Sequence, residues 1–194
     1  GLHQDRLRHH HPERGQCHRH QVGQQMAAPL LECRGALQLA RQDEISTAET
    51  TLLFLARANA CRVIADWVCQ REAGDAAVHS ARRLNDAVLL VRGLVASSRA
   101  NLALEDYARG NELLSEAQVL AESIQHPALL GDIFLAYSSL SFSLGKHRSA
   151  AEYATRGLDI IGTFGTYELR TRLLRNRARS LARLGELDSA RRDL

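Results

Sequence analysis

The chain has few aromatic residues, few prolines and no long apolar run, and each shortage excludes a class of structure. Aromatic residues make up 5% of the 194 residues, and the three prolines are Pro12, Pro29 and Pro127. Runs of Val, Ile and Thr at period two are absent, which argues against a sheet. No apolar stretch reaches about 18 residues, so we expect no membrane-spanning helix. Ala, Leu and Arg dominate instead, and these strong helix formers predict an all-α fold.

Motifs that carry catalytic chemistry are also missing. The sequence contains no GxxxxGK[ST] phosphate loop and no GxGxxG, HExxH or GxSxG motif. Its acidic residues are scattered, and none form a pair that we would assign as general acid and base. We therefore predict that the protein is not an enzyme, and we expect no catalytic residue and no cofactor.

The cysteines and the net charge give weaker information. Cys17, Cys33, Cys61 and Cys69 form no CxxC pair and fit no common zinc spacing. We interpret Cys61 and Cys69 as small buried apolar residues on one helix, which predicts a reducing compartment and a cytoplasmic location. No secretory signal is visible. The net charge of +3 does not by itself imply a nucleic-acid partner.

Residues 1–25 differ in composition from the rest of the chain. This stretch holds six of the nine histidines and almost no apolar residues, and it shows no helical or strand period. We predict a disordered His/Arg-rich tail. Such a tail binds soft divalent metals weakly through residues like Cys17, His18 and His20, but we expect no functional metal site. An alternative is that the stretch is not native coding sequence.

A 40-residue repeat organises the second half of the chain. Glu105, Gly145 and Gly185 lie 40 apart, and each begins a similar six-residue sequence that ends in a small residue. A fixed period of this size is typical of a helical solenoid. We therefore predict a repeat domain over residues 26–194. Its clearest repeats are 86–125, 126–165 and 166–194, the last of them truncated, and a weaker repeat occupies 48–85.

Local signals place the helices within these repeats. Ser46-Thr47-Ala48-Glu49 has the form of a capping box, which predicts a helix that continues to Trp67 or Cys69. Pro127 is well placed as the first residue of a helix. The helices predicted after Asn85 end near residues 104, 124, 144, 161, 184 and 194, and residues 162–165 form a loop.

The pattern of bulky and small residues resembles the tetratricopeptide repeat, a helix–turn–helix unit of about 34 residues. In the last repeat, the matching positions are Leu174, Ala178, Leu181, Gly185, Leu187 and Ala190. The resemblance covers roughly residues 86–194 and implies a right-handed α-solenoid of antiparallel helix pairs. The period of 40 departs from 34 and is similar to the MalT-like repeats of bacterial LuxR-type transcription regulators.

The resemblance implies that one face of each first helix lines a concave groove. Four arginines spaced for one helical face lie on the helix 168–184, and two more take equivalent places two repeats earlier: Arg172, Arg175, Arg179, Arg183, Arg92 and Arg99. Guanidinium groups suit carboxylates or phosphates, because each offers a planar fork of donors. The alternative is a solvated helix face. Nucleic acid is disfavoured, because interleaved aromatics are missing.

Between these arginines we expect a small apolar and hydroxyl patch. It comprises Leu135, Ser139 and Phe142, with Asp132 at its edge. This composition suits an apolar side chain beside a charged one. The alternative is that Phe142 packs against its own neighbours.

These observations predict a protein-interaction scaffold that binds a peptide or helix, acidic in character, in its groove. The alternative function is the sensor region of a larger bacterial transcription regulator. A spacer role also stays open. Because the chain begins with Gly and ends at Leu194 within a repeat, we expect a fragment, whose uncapped last repeat promotes self-association.

Overall fold

The chain is all-α over the residues that the structure describes. In a computed structural model these are residues 48–163 and 165–194, and they form eight helices and no strand. The helices are α1 (Ala48–Val63), α2 (Trp67–Leu84), α3 (Ala87–Ala103), α4 (Tyr107–Ser123), α5 (Pro127–Ser143), α6 (His147–Ile161), α7 (Tyr167–Arg183) and α8 (Leu187–Arg192). The predicted tail 1–25, the helix after Pro29 and the Ser46 cap lie outside the described residues.

The prediction of a single helix from the capping box to Trp67 or Cys69 is wrong. That segment forms two helices, because α1 ends at Val63 and α2 starts at Trp67. Ala65 has a φ of 58°, which breaks the helix. Asp66 then accepts a hydrogen bond from the Cys69 N–H at 2.9 Å and caps α2. The predicted helices after Asn85, in contrast, agree with α3 to α8 to within about two residues at each end.

The turns between helices follow a regular 20-residue spacing. Each of the seven turns holds a residue with positive φ. Six of these residues keep the spacing, Ala65, Asn85, Glu105, Gln125, Gly145 and Gly185, and Gly162 in the remaining turn departs from it. Asp66, Asp86 and Asp106 each follow one of these residues and cap the next helix by accepting an N–H three residues on. The 40-residue repeat of the sequence is therefore two helices and two turns of similar length.

The helices pack in two layers. Each helix contacts its neighbours in sequence, and α1, α3, α5 and α7 also contact one another in that order. Among the described helices, consecutive members of the other layer, α2, α4, α6 and α8, make no such contact. The array therefore closes toward the α1/α3/α5/α7 layer, which we call the inner layer. This arrangement is that of a helical repeat.

Small residues allow the layers to approach closely. Gly74 of α2 lies against the backbone of Ser97 in α3, and a Cβ at this position would be 2.7 Å from the Ser97 nitrogen. Between the layers, the bulky side chains of Leu94, Leu114 and Phe134 are almost wholly buried. The predicted pairing of small residues at helix crossings with bulky residues between them matches this packing.

The interpretation of Cys61 and Cys69 as unpaired apolar residues on one helix is wrong. Cys61 is fully buried near the end of α1, Cys69 lies in the first turn of α2, and a disulfide joins them. The turn at Ala65 brings the two together by reversing the chain. The disulfide removes the basis on which a reducing, cytoplasmic location was predicted. Within the described ranges, no helix is long and apolar enough to cross a membrane.

Candidate functional site

A groove follows the inner layer and consists of two neighbouring cavities. The first has a volume of about 420 Å³ and is lined by residues of α1, α3, α5 and α7, with Gln70 from α2. The second, of about 320 Å³, extends toward the ends of α3, α5 and α7. Arg62, Gln70, Arg99 and Arg172 line both cavities, so we treat the two as one surface and call it the inner groove.

Three arginines from three helices meet where the cavities join. They are Arg62 of α1, Arg99 of α3 and Arg172 of α7, and we call them the arginine triad. Burial, followed by the charges of Arg99 and Arg62, lowers the pKa of Arg172 to about 10. Arg172 therefore still carries its positive charge at neutral pH, under repulsion from the other two arginines.

The triad is only partly neutralised. Arg99 donates to the carboxylate of Asp132 at 2.9 Å and, more weakly, to the Asp132 carbonyl oxygen at 3.3 Å. Arg172 lies 3.8 Å from Glu168, which is an ion pair too long for a hydrogen bond. Arg62 donates to the side-chain oxygen of Asn59, which is a neutral acceptor, at 2.8 Å.

The predicted arginine stripe is brought into the groove in part. Arg92 and Arg172 line the first cavity, and Arg172, Arg175 and Arg179 line the second. Arg183 lines neither of these two cavities. Five arginines and no acidic residue are among the residues that line the second cavity. The stripe therefore continues the positive charge of the triad along α7.

The predicted apolar patch is less open than expected. Leu135 and Ser139 line the second cavity, but Leu135 is only 3% exposed. Phe142 lines neither cavity, because the Arg179 guanidinium lies 4.2 Å from its ring centroid and His147 packs beside it. Phe142 thus packs against its neighbours, which was the alternative interpretation. Its place in the groove is taken by the guanidinium that covers it.

Gln70 forms part of the floor of the groove and was missed by sequence reasoning. Its side chain is 2% exposed and donates to the Ala96 carbonyl oxygen at 3.1 Å. Its own oxygen, Oε1, is buried and has no hydrogen-bond partner among the described residues. An unpaired buried acceptor costs about 1–3 kcal/mol, so a hydrogen-bond donor that reached Gln70 Oε1 would be stabilising.

Sequence reasoning also did not predict Arg62 and Asn176 as residues of the groove. Asn176 donates to the Ser139 hydroxyl at 2.9 Å and links α7 to α5 across the second cavity. The sequence signal that could have identified Arg62 was Asp66. Because Asp66 caps α2, α1 ends before it and Arg62 lies in the last turn of α1.

Within the described residues, no group of three or more His, Cys, Asp or Glu side chains could hold a metal ion. The His-rich segment lies outside those residues.

Known proteins add no identification. The chain matches no family model, and no curated protein is similar to it in sequence. The case for a function therefore rests on the inner groove and the residues that line it.

Proposed function

We propose that the protein is an interaction scaffold that binds an acidic peptide segment of a partner protein in the inner groove, without a catalytic step. The observation that carries this proposal is the arginine triad, in which three charged side chains from three helices converge with incomplete neutralisation. Repulsion among like charges is unfavourable in the unbound protein, and an anionic ligand relieves it. A solvated helix face would not bring three separate helices to the same point.

The form of the groove supports a chain-like ligand. The two cavities are continuous through four shared residues, so an extended peptide can occupy both. Gln70 Oε1, which lacks a partner, suits a backbone N–H of such a peptide. Apolar side chains of Leu52, Leu55 and Val95 line the far side of the first cavity and suit an apolar residue next to the acidic one.

Our proposal includes the finer description of the fold as a right-handed, tetratricopeptide-like superhelix. Support comes from the two layers and the regular turns. The helix pair of 40 residues also supports a second candidate function, the sensor region of a bacterial transcription regulator, because that length exceeds the 34 of the tetratricopeptide unit. A helix-turn-helix or phosphate-loop domain encoded in the same gene would favour this candidate.

The test is binding of fluorescent peptide pools that contain glutamate or glutamine at otherwise matched positions. We expect the glutamate pool to bind and the glutamine pool to bind much more weakly. Arg172→Gln should cost about 2–5 kcal/mol of binding, or at least about 30-fold in affinity, if its charge is buried with the ligand. Arg109→Gln is the matched control, because Arg109 lies on α4 in the other layer and pairs with Glu112. Equal binding of both pools would contradict the proposal.

A further inference from the structure

We propose that the arginine triad recognises a phosphorylated side chain, so that the peptide bound in the inner groove carries phosphoserine or phosphothreonine. This inference rests on the proposed peptide-binding function and names the group that the triad selects. It makes the glutamate peptide a weak mimic of the preferred ligand.

The first argument is the charge of the groove. Among the described residues, the two cavities are lined by more arginines than carboxylates, which leaves four positive charges. The arginines are Arg62, Arg92, Arg99, Arg172, Arg175 and Arg179, and the carboxylates are Asp132 and Glu168. A phosphoryl group carries a charge of about −1.5 to −2 at neutral pH, whereas a carboxylate carries −1. A phosphoryl group therefore compensates more of this excess than a single carboxylate does.

The second argument is the number of directions from which donors come. The triad residues stand on α1, α3 and α7, so donors that line both cavities come from three different helices. A phosphate monoester offers three terminal oxygens in a tetrahedral arrangement, and each accepts hydrogen bonds from a different direction. A carboxylate is planar and has two oxygens, which one guanidinium fork already satisfies.

The third argument selects a phosphorylated peptide over free phosphate. An inorganic phosphate ion would fill the junction and leave most of the two cavities, of about 420 and 320 Å³, empty. Gln70 lines both cavities, and its Oε1 is buried with no hydrogen-bond partner among the described residues. A peptide supplies a backbone N–H for this acceptor as well as the phosphoryl group.

The experiment compares three probes on the whole chain. Two peptide pools are identical except for phosphoserine or glutamate at the central position, and the third probe is inorganic phosphate. Bound peptides are quantified by mass spectrometry and affinities by calorimetry. We expect the phosphoserine pool to bind at least about tenfold more tightly than the glutamate pool at neutral pH, and inorganic phosphate to bind far more weakly than either. Arg172→Gln should abolish the preference, and Arg109→Gln should retain it.

The pH profile gives an independent readout. The second pKa of a phosphoryl group is about 6, so the phosphoserine pool should lose affinity as the pH falls from about 7.5 to 5.5. The glutamate pool should change little, because glutamate titrates near pH 4.3. Among the described residues, the titratable and charged groups that face the triad are Asp132 of α5, Glu168 of α7 and the remaining groove arginines, and no described histidine lines either cavity.

Each remaining outcome overturns a different statement. Equal affinity for phosphoserine and glutamate pools would overturn the phosphoryl preference and leave acidic-peptide binding intact. Binding of inorganic phosphate as tight as that of the phosphoserine pool would show that a free anion is the ligand and overturn the peptide source. Binding of none of the probes would overturn both this inference and the proposed function.

Discussion

Replacement of Arg172 by glutamine separates a binding role from a structural one. Arg172 is partly buried beside the positive charges of Arg99 and Arg62, and its pKa is lowered to about 10. The charge of this guanidinium is partly desolvated and repelled by neighbouring arginines, which destabilises the folded protein when no ligand is bound. Its removal should therefore leave the protein at least as stable as before. We therefore expect Arg172→Gln to lose ligand binding without losing stability.

The magnitude follows from the pKa. The lowering of the Arg172 pKa to about 10 corresponds to about 3 kcal/mol of destabilisation of the charged form in the folded state. The side chain is 24% exposed, so solvent screening reduces this value, and the variant also loses aliphatic packing and the long ion pair with Glu168. We expect a net change in unfolding free energy between zero and about 1 kcal/mol in favour of the variant.

Arg177 on the same helix provides the matched comparison. Its guanidinium donates two hydrogen bonds, of 2.7 and 2.6 Å, to the carboxylate of Asp193, whose side chain is 7% exposed. This bidentate pair raises the pKa of Arg177. Arg177→Gln leaves a buried carboxylate without its cation, which should cost about 2–3 kcal/mol. The two substitutions are chemically identical, and we expect opposite effects.

Urea unfolding measures both effects, with the fluorescence of Trp67, the single tryptophan, as the reporter. A rise in NaCl from about 0.05 to 0.5 M should also stabilise the parent protein more than Arg172→Gln, because salt screens the repulsion. If Arg172→Gln loses as much stability as Arg177→Gln, then Arg172 stabilises the fold. That result would contradict the claim that repulsion within the arginine triad destabilises the protein until an anion binds.

Three further predictions concern the framework of the groove. Gly74→Ala places a Cβ 2.7 Å from the Ser97 nitrogen, so it should cost about 1–3 kcal/mol in urea unfolding despite the better helix propensity of alanine. Cys69→Ala removes a disulfide with a sequence separation of 8, which should cost about 2.5 kcal/mol, and thermal unfolding of the variant should respond less to dithiothreitol than that of the parent protein. Glu105 has a φ of 64°, so Glu105→Gly should raise the unfolding free energy by about 1 kcal/mol, and Gly145→Ala should lower it similarly.

The sequence predicts the all-α class and the helices after Asn85 because their signals are local. Turn glycines, Pro127 and the aspartates that cap α3 and α4 act within a few residues of the boundaries that they set. The α1–α2 boundary was missed because the residue with positive φ there is Ala65, which carries no such signal. The error then led to the wrong interpretation of Cys61 and Cys69.

The candidate site was predictable only as far as helix periodicity extends. The spacing of the arginines on α7 places Arg172, Arg175 and Arg179 on one face, and all three line the groove. Periodicity does not predict which residues meet across helices. Three features of the groove depend instead on tertiary packing between helices. They are the position of Arg62 in the groove, the ion pair of Arg99 with Asp132 and the hydrogen bond of Gln70 to Ala96.

The disulfide and the groove are connected through the chain itself. Arg62 and Gln70 directly follow Cys61 and Cys69, so the covalent bond between α1 and α2 fixes the positions of one triad arginine and of the unpaired acceptor. Without this bond, the turn at Ala65 could move Arg62 away from Arg99 and Arg172 and relieve their repulsion. The bond therefore opposes a relaxation that the electrostatics favour. For the ligand proposed above, the bond would keep the arginine triad assembled before binding, so that less of the binding free energy is lost to reorganisation.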